Sequence, residues 1–395
     1  MRRIASTHAR KAVVATSVAA FLGLTAACTI DRGDSGSHNG DSASHSQGED
    51  GDSIGLTASV KDNAKGVKVT DTISVEGKDM STVTLTNDEG TEVAGEFNGD
   101  KSKWSSTEKL GYNRTYTLTA KSGDKTLKKT FSTTQADYVA DSALSPLDQS
   151  TVGIAQSVAL FFDTPVSNKK AVQDAISVET SNNTEGAFYW LTDQSLRWRP
   201  KEFWKPGTEV TVKSNLYGVE VSDGVFGDAD REASFTIGDD VRAEVDDATK
   251  IMTVTKNGEV IKTMPVSNGR DSAQWATPNG TYTVGDQYDT LTMDSNTYGL
   301  APENGGYVTP VNYATQMSWS GIYIHGAPWS VYAQGNTNTS HGCVNVSDAN
   351  AQWVYENLKR GDVVIVKNTV GGQLDGHDGL GDWQIPWEEW SNGNA

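Results

Sequence analysis

From Gly55 to Gly238 the chain keeps one grammar: short runs that alternate apolar and polar residues, broken every few positions by turn formers. Val67-Lys68-Val69, Thr72-Ile73-Ser74-Val75, Thr82-Val83-Thr84-Leu85 and Thr115-Tyr116-Thr117-Leu118-Thr119 are four such runs. Gly77, Asn87-Asp88-Glu89-Gly90 and Asn98-Gly99-Asp100 separate them. A period of two sends successive side chains to opposite faces of a strand, so each run offers one face to a core and the other to water. The pattern predicts packed antiparallel sheets.

The same grammar occurs twice. Val158-Ala159-Leu160-Phe161-Phe162, Ile176-Ser177-Val178, Leu196-Arg197-Trp198-Arg199 and Thr208-Glu209-Val210-Thr211-Val212 repeat it, and Lys205-Pro206-Gly207 stands where Gly111-Tyr112-Asn113 stands in the first unit. Strands at this spacing predict two tandem sandwiches of immunoglobulin type, over residues 55–136 and 137–238. Leu110 to Tyr116 is placed to form a tyrosine corner, and Trp190, Trp198 and Trp204 are assigned to packing, because large aromatics dominate buried area.

Beyond Asp239 the character shifts. Asn257-Gly258, bracketed by Ile251-Met252-Thr253-Val254 and Val260-Ile261-Lys262-Thr263-Met264, is a strong hairpin signal. Ala351, Val354, Tyr355 and Leu358 follow a helical period, with Asp348 placed to cap it and Gly361 to end it. Val363-Val364-Ile365-Val366 reads as a buried strand. A mainly β domain with few helices is expected over 239–368, with a Trp-rich tail, 369–395, packing on it.

The N-terminus reads as an address. Arg2, Arg3, Arg10 and Lys11 precede an apolar stretch, Ala12 to Leu24, too short for a comfortable membrane span. Thr25-Ala26-Ala27-Cys28 follows, with the features of a lipoprotein processing site. Residues 1–27 are thus expected to be a signal peptide, Cys28 a lipidated membrane anchor, and the polar residues 28–54 a disordered tether. Losing the signal moves the net charge from −18 to about −22, which argues against nucleic acid as a partner.

Of two cysteines in the chain, only Cys343 falls in the folded part, in Ser340-His341-Gly342-Cys343-Val344-Asn345. Three of the six histidines, His325, His341 and His377, fall there too. A thiol at neutral pH is mostly protonated, so a cysteine enzyme needs an imidazole to take the proton. His325, at the end of Ile322-Tyr323-Ile324, is the expected base; His341 in that role and a His, His, Cys zinc site are the alternatives. Gly342 permits a tight turn that exposes N–H groups toward an oxyanion.

Ile324-His325-Gly326-Ala327-Pro328-Trp329-Ser330, Asn338 to Ser347, Asn350-Ala351-Gln352-Trp353 and Gly379 to Trp387 together resemble the L,D-transpeptidases that cross-link peptidoglycan, and particularly their actinobacterial lipoprotein branch. The resemblance implies Cys343 as nucleophile, His325 as base, and the Gly326 carbonyl as the group that orients the imidazole. It also implies an oxyanion hole of Gly342, Cys343 and Tyr307. Met293, Tyr298, Trp319, Trp329, Ser340, His341 and Asn345 are implied substrate contacts, and Met293 to Trp319 a glycine-containing lid. Two departures touch these contacts: relatives of this branch often carry Ser at Gly326, and many others carry Arg at Asn345. The implied reaction joins a tetrapeptide donor stem to a diaminopimelate acceptor stem, with no cofactor and no metal. A thiol hydrolase with the same dyad and a non-catalytic wall-binding lipoprotein are the rival readings.

Overall fold

The computed structural model describes residues 55–395; the expected signal, the expected lipidation at Cys28 and the expected tether lie outside the described residues. The first sandwich pairs Leu56–Ala58, Ser74–Gly77, Lys103–Ser106 and Gly95–Phe97 in one sheet, against Ala64–Val67, Lys125–Thr133, Thr115–Ser122 and Met80–Asn87 in the other. Inward positions of Thr115–Ser122 (Tyr116, Leu118, Ala120) are buried and meet Trp104, Leu85 and Phe131. The tyrosine corner forms: the Gly111 N–H donates to the Tyr116 hydroxyl at 2.8 Å.

The second sandwich sets Ser142–Ser145, Val158–Phe162, Ser195–Pro200 and Gly186–Thr192 against Thr151–Val152, Asp230–Ile237, Glu209–Asn215 and Ile176–Thr180. Trp190, Trp198 and Trp204 are buried in its core. Ser195–Pro200 is buried on both faces. Leu196 and Trp198 point into the sandwich core, and the alternate residues Arg197 and Arg199 are covered by the C-terminal tail.

The expected packing of the tail on the 239–368 domain is therefore only part of its arrangement. Its first part does pack there, through Thr283 N–H to Leu380 O at 2.9 Å and Thr281 N–H to the Gln384 side chain at 2.7 Å. The rest crosses to the second sandwich. Trp390 Nε1 donates to Ala187 O, and Asn394 exchanges two bonds with the Trp190 backbone, all at 2.8 Å. Trp390 is fully buried against Tyr189, Leu191 and Ile385. Arg199 lies within 4.4 Å of the Trp390 ring centre and 4.6 Å of Trp383, and donates to Ile385 O. Planar guanidinium on aromatic faces is the arrangement that suits a buried arginine. Burial pulls Arg199 down to about 10, which still leaves it charged at neutral pH.

The C-terminal domain holds two sheets. Five strands run in the order Glu259–Pro265, Ile251–Lys256, Val241–Asp246, Val363–Lys367, Gly280–Thr283, and four in the order Gln287–Asp294, Val308–Gln316, Tyr323–Gly326, Val344–Val346. Asn257 and Gly258 both take positive φ, as the hairpin signal requires. The helix spans Asp348–Asn357; Ser347, one place before the expected cap, accepts the Asn350 N–H, and Asp348 is the first helical residue. Gly153 and Ala155 of the second sandwich donate to Arg360 O and Gly361 O at 2.8 Å, and a Cβ on Gly153 would meet the Asp362 backbone at 2.2 Å. Glycine is what lets these two backbones touch.

Candidate active site

Tyr323–Gly326 and Val344–Val346 pair in parallel, with Ile324 opposite Val344. Both of those side chains are fully buried in the domain core. Alternation then turns His325, one residue beyond the pair, and Cys343, one residue before it, to the opposite face. There they line one cleft of about 210 Å³ with Met293, Tyr307, Trp329, Ser340, His341 and Asn345. The sheet register thus gathers the residues that the sequence set 18 positions apart.

His325 is 3% exposed, and its Nδ1 lies 2.9 Å from Gly326 O. A carbonyl only accepts, so Nδ1 carries the hydrogen and Nε2 is left to receive a proton. Cys343 is a free thiol, 5% exposed, and donates to Gly321 O at 3.6 Å. Burial works against charge on both: His325 is pushed down to about 4, and Cys343 up to about 11. The pair therefore rests as thiol and neutral imidazole, not as a preformed thiolate.

Gly342 sits at φ +133°, a conformation that favours glycine. Its carbonyl is fixed by the Thr277 hydroxyl at 2.7 Å. Its N–H, expected to face an oxyanion, donates instead to Ser340 Oγ at 3.1 Å, while the Ser340 hydroxyl donates to Cys343 O at 2.6 Å. Ser340 thus braces the turn that carries Cys343. His341 is sandwiched edge-on to Trp275 at 4.7 Å and beside Tyr307 at 5.0 Å, and burial lowers its pKa. Asn345 donates to Ser330 Oγ at 3.1 Å, and its Oδ1 is buried without a hydrogen-bond partner.

The expected lid is smaller than Met293 to Trp319, since Val308–Gln316 is a sheet strand. What borders the cleft is the hairpin tip 295–307, pinned at its base by Ser295 Oγ, which accepts the Tyr307 N–H at 2.7 Å and donates to Leu300 O at 2.7 Å. Tyr298 falls in this tip, but its side chain lies outside the described ones. Met293 and Tyr307 also line a second cavity, together with Gly321 and Tyr323, and the Gly321 carbonyl is the acceptor of the Cys343 thiol.

Trp319 does not line the cleft, contrary to expectation. Its ring packs 5.9 Å from Phe161 and 5.3 Å from the Arg197 guanidinium, and its N–H donates to Asp378 at 2.6 Å. It belongs to the joint with the second sandwich. His377 is likewise remote, beside Tyr189 and Asp375. Among the described residues no three His, Cys, Asp or Glu side chains are gathered to hold a metal. Thr277, which holds the Gly342 carbonyl from 65 residues away, carries no sequence signal of its own, and the helix signal at Asp348 does not show that it fills the space beside Gly326, 22 residues earlier.

Comparison with known proteins follows this division. Residues 64–220 match a bacterial Ig domain, and residues 240–366 match the L,D-transpeptidase catalytic domain. L,D-transpeptidase 2 of Mycobacterium tuberculosis is 51% identical over 348 residues, 86% of this chain and 85% of the relative. L,D-transpeptidase 1 of the same species is 37% identical over 227 residues, 57% of this chain and 83% of the relative. The solved structure of LD transpeptidase LdtMt1 in complex with imipenem is 36% identical, covers 57% of this chain and 97% of its own, and superposes with a TM-score of 0.50. Two immunoglobulin-like sandwiches joined to a catalytic domain whose lone described cysteine shares a cleft with a buried histidine are thus the parts of an enzyme, and the chain belongs to the L,D-transpeptidase family.

Proposed function

We propose that this enzyme forms 3→3 cross-links between peptidoglycan stem peptides through a Cys343 thioester. The observation that carries the reading is the shared cleft of Cys343 and His325, with Nε2 of the imidazole left as acceptor. As Sγ attacks the carbonyl of the third residue of a tetrapeptide donor, its proton passes to His325 Nε2. The amide C–N bond then breaks, and the proton returns to the departing D-alanine amine. The diaminopimelate amine of a second stem attacks the thioester, gives up a proton to His325 and restores the thiol.

Because burial disfavours charge on both partners, the proton leaves Sγ as attack proceeds, and the imidazole stays unprotonated and able to receive it throughout the neutral range. The Cys343 N–H and the Tyr307 hydroxyl hold the oxyanion, and Gly342 N–H joins them when it leaves Ser340 Oγ. Asn345 Oδ1 and the exposed face of Trp329 contact the donor stem. With the hairpin tip bordering the cleft and excluding water, transfer to a second stem is favoured over hydrolysis. No cofactor or metal enters this chemistry. Because a relative binds imipenem, the strained β-lactam ring of a carbapenem is expected to acylate Cys343.

Mass analysis of purified tetrapeptide fragments incubated with the enzyme should show dimers lacking one D-alanine. Cys343→Ala should make none; 3→3 dimers from that variant would refute the mechanism, and hydrolysed tripeptides alone would make it a carboxypeptidase. We place the enzyme outside the cytoplasm, anchored by acylated Cys28. Washed membranes should then release the Cys28→Ala protein, and its retention would point to another anchor.

A further inference from the structure

Gly326 has no side chain, and the space beside it is taken by a carboxylate. A Cβ built at Gly326 would lie 2.2 Å from Asp348 Oδ1, closer than any real contact. Asp348 opens the helix Asp348–Asn357, which follows directly on the strand of the nucleophile's turn, and Ala327 N–H to Val346 O at 2.8 Å holds the two segments side by side. One carboxylate oxygen, Oδ2, accepts the Asn312 side chain at 3.2 Å. The other, Oδ1, is buried without any hydrogen-bond partner. A helix start alone accounts for an acidic residue in the first turn. It does not account for a carboxylate oxygen left unsatisfied against the residue whose carbonyl orients the base.

We infer that Asp348 is a positioning residue of the reaction, whose carboxylate, seated in the space left by Gly326, stabilises the positive imidazolium that His325 becomes when it takes the Cys343 proton. This rests on His325 being the base. The titratable groups around His325 are Cys343 and His341 from the nucleophile's turn, Tyr307 from the hairpin tip and Asp348 from the helix. Asp348 alone among them raises the affinity of the imidazole for a proton, with the Gly326 carbonyl as the other favourable partner, while desolvation works more strongly the other way. A negative charge held against Gly326, the neighbour of the base, offsets part of the cost of charging a buried ring. Glycine at 326 and aspartate at 348 then form one device: a side chain at the first would evict the second.

The test is acylation by imipenem, followed by intact-protein mass spectrometry over a range of pH, with His325 titrated by NMR on the Cys343→Ala protein. Asp348→Asn keeps the shape and removes the charge. Its plateau rate should fall by about tenfold, the worth of one pKa unit, and its acid limb should move to lower pH, since the imidazole becomes harder to protonate. The NMR titration should move the same way. Gly326→Ala, which pushes the carboxylate out, should reproduce both effects, but should add little on an Asp348→Ala background, where the methyl has room. Asp348→Glu, if it folds, should restore part of the plateau. A lower melting temperature with an unmoved acid limb and unmoved NMR titration would reduce Asp348 to a helix-start residue and overturn the inference. His325→Ala retaining its rate would instead remove the base assignment itself.

Discussion

The cleft and the sandwich–tail joint both bury ionisable groups, and they treat them in opposite ways. At the joint, Arg199 keeps its charge: burial lowers it only to about 10, the nearby Asp382 and Glu202 carboxylates oppose that fall, and three tryptophan rings with the Pro200 and Ile385 carbonyls pack around the guanidinium. In the cleft, His325 Nδ1 meets Gly326 O and the Cys343 thiol donates to Gly321 O, and burial disfavours charge on both. A buried charge held by rings, carbonyls and a carboxylate is fixed; a buried pair one proton away from charge is reactive. Stability resides in the first arrangement and chemistry in the second.

That contrast breaks if His325 turns out to be structural. His325→Ala should lower the acylation rate by about 10²–10⁴-fold without lowering the melting temperature, as followed by mass spectrometry and calorimetry. Arg199→Met should do the reverse. Removing a buried cation from among Trp383, Trp387, Trp390 and Asp382 should cost about 3 kcal/mol in denaturant unfolding, with acylation per folded molecule unchanged.

Between these extremes lies Asp362, fully buried where the second sandwich meets the catalytic domain, and raised to about 7 chiefly by desolvation. A carboxyl raised in the folded state stabilises most below its unfolded value near 4 and loses that contribution as pH rises through about 7. Melting temperature should therefore fall across that window, and Asp362→Asn should flatten the fall and stabilise the protein at pH 8 by about 2 kcal/mol. The smallest effect is expected far from either region: Tyr116→Phe, which removes the tyrosine corner, should cost about 1 kcal/mol in thermal unfolding and leave acylation untouched.

What could be read in advance divides along the same line. The strand grammar, the Asn257-Gly258 hairpin, the tyrosine corner and the Ser-His-Gly-Cys turn are written in neighbouring residues, and local periodicity finds them. Trp319 stands at the joint and not in the cleft that the resemblance implies, because a resemblance carries a residue's type but not the surface its ring covers; its place is decided by Phe161 and Arg197, more than a hundred residues earlier. The alternation Leu196-Arg197-Trp198-Arg199 read as a half-exposed strand because the tail that covers its polar face lies about 180 residues on. Asp348 read as a helix cap, since nothing local shows that Gly326 leaves it room.

The Trp390 and Asn394 contacts also set an order of events. Their partners on Gly186–Thr192 precede them by 203 and 204 residues. A chain made from its N-terminus presents the second sandwich first, with Tyr189 and the Arg199 face still open to solvent. That face closes only when the last turn of chain arrives, after the catalytic domain has been completed between them. The final helix, Trp387–Asn392, is thus a clasp fastened last, and a molecule caught before it closes would display a sticky aromatic-binding surface to its neighbours.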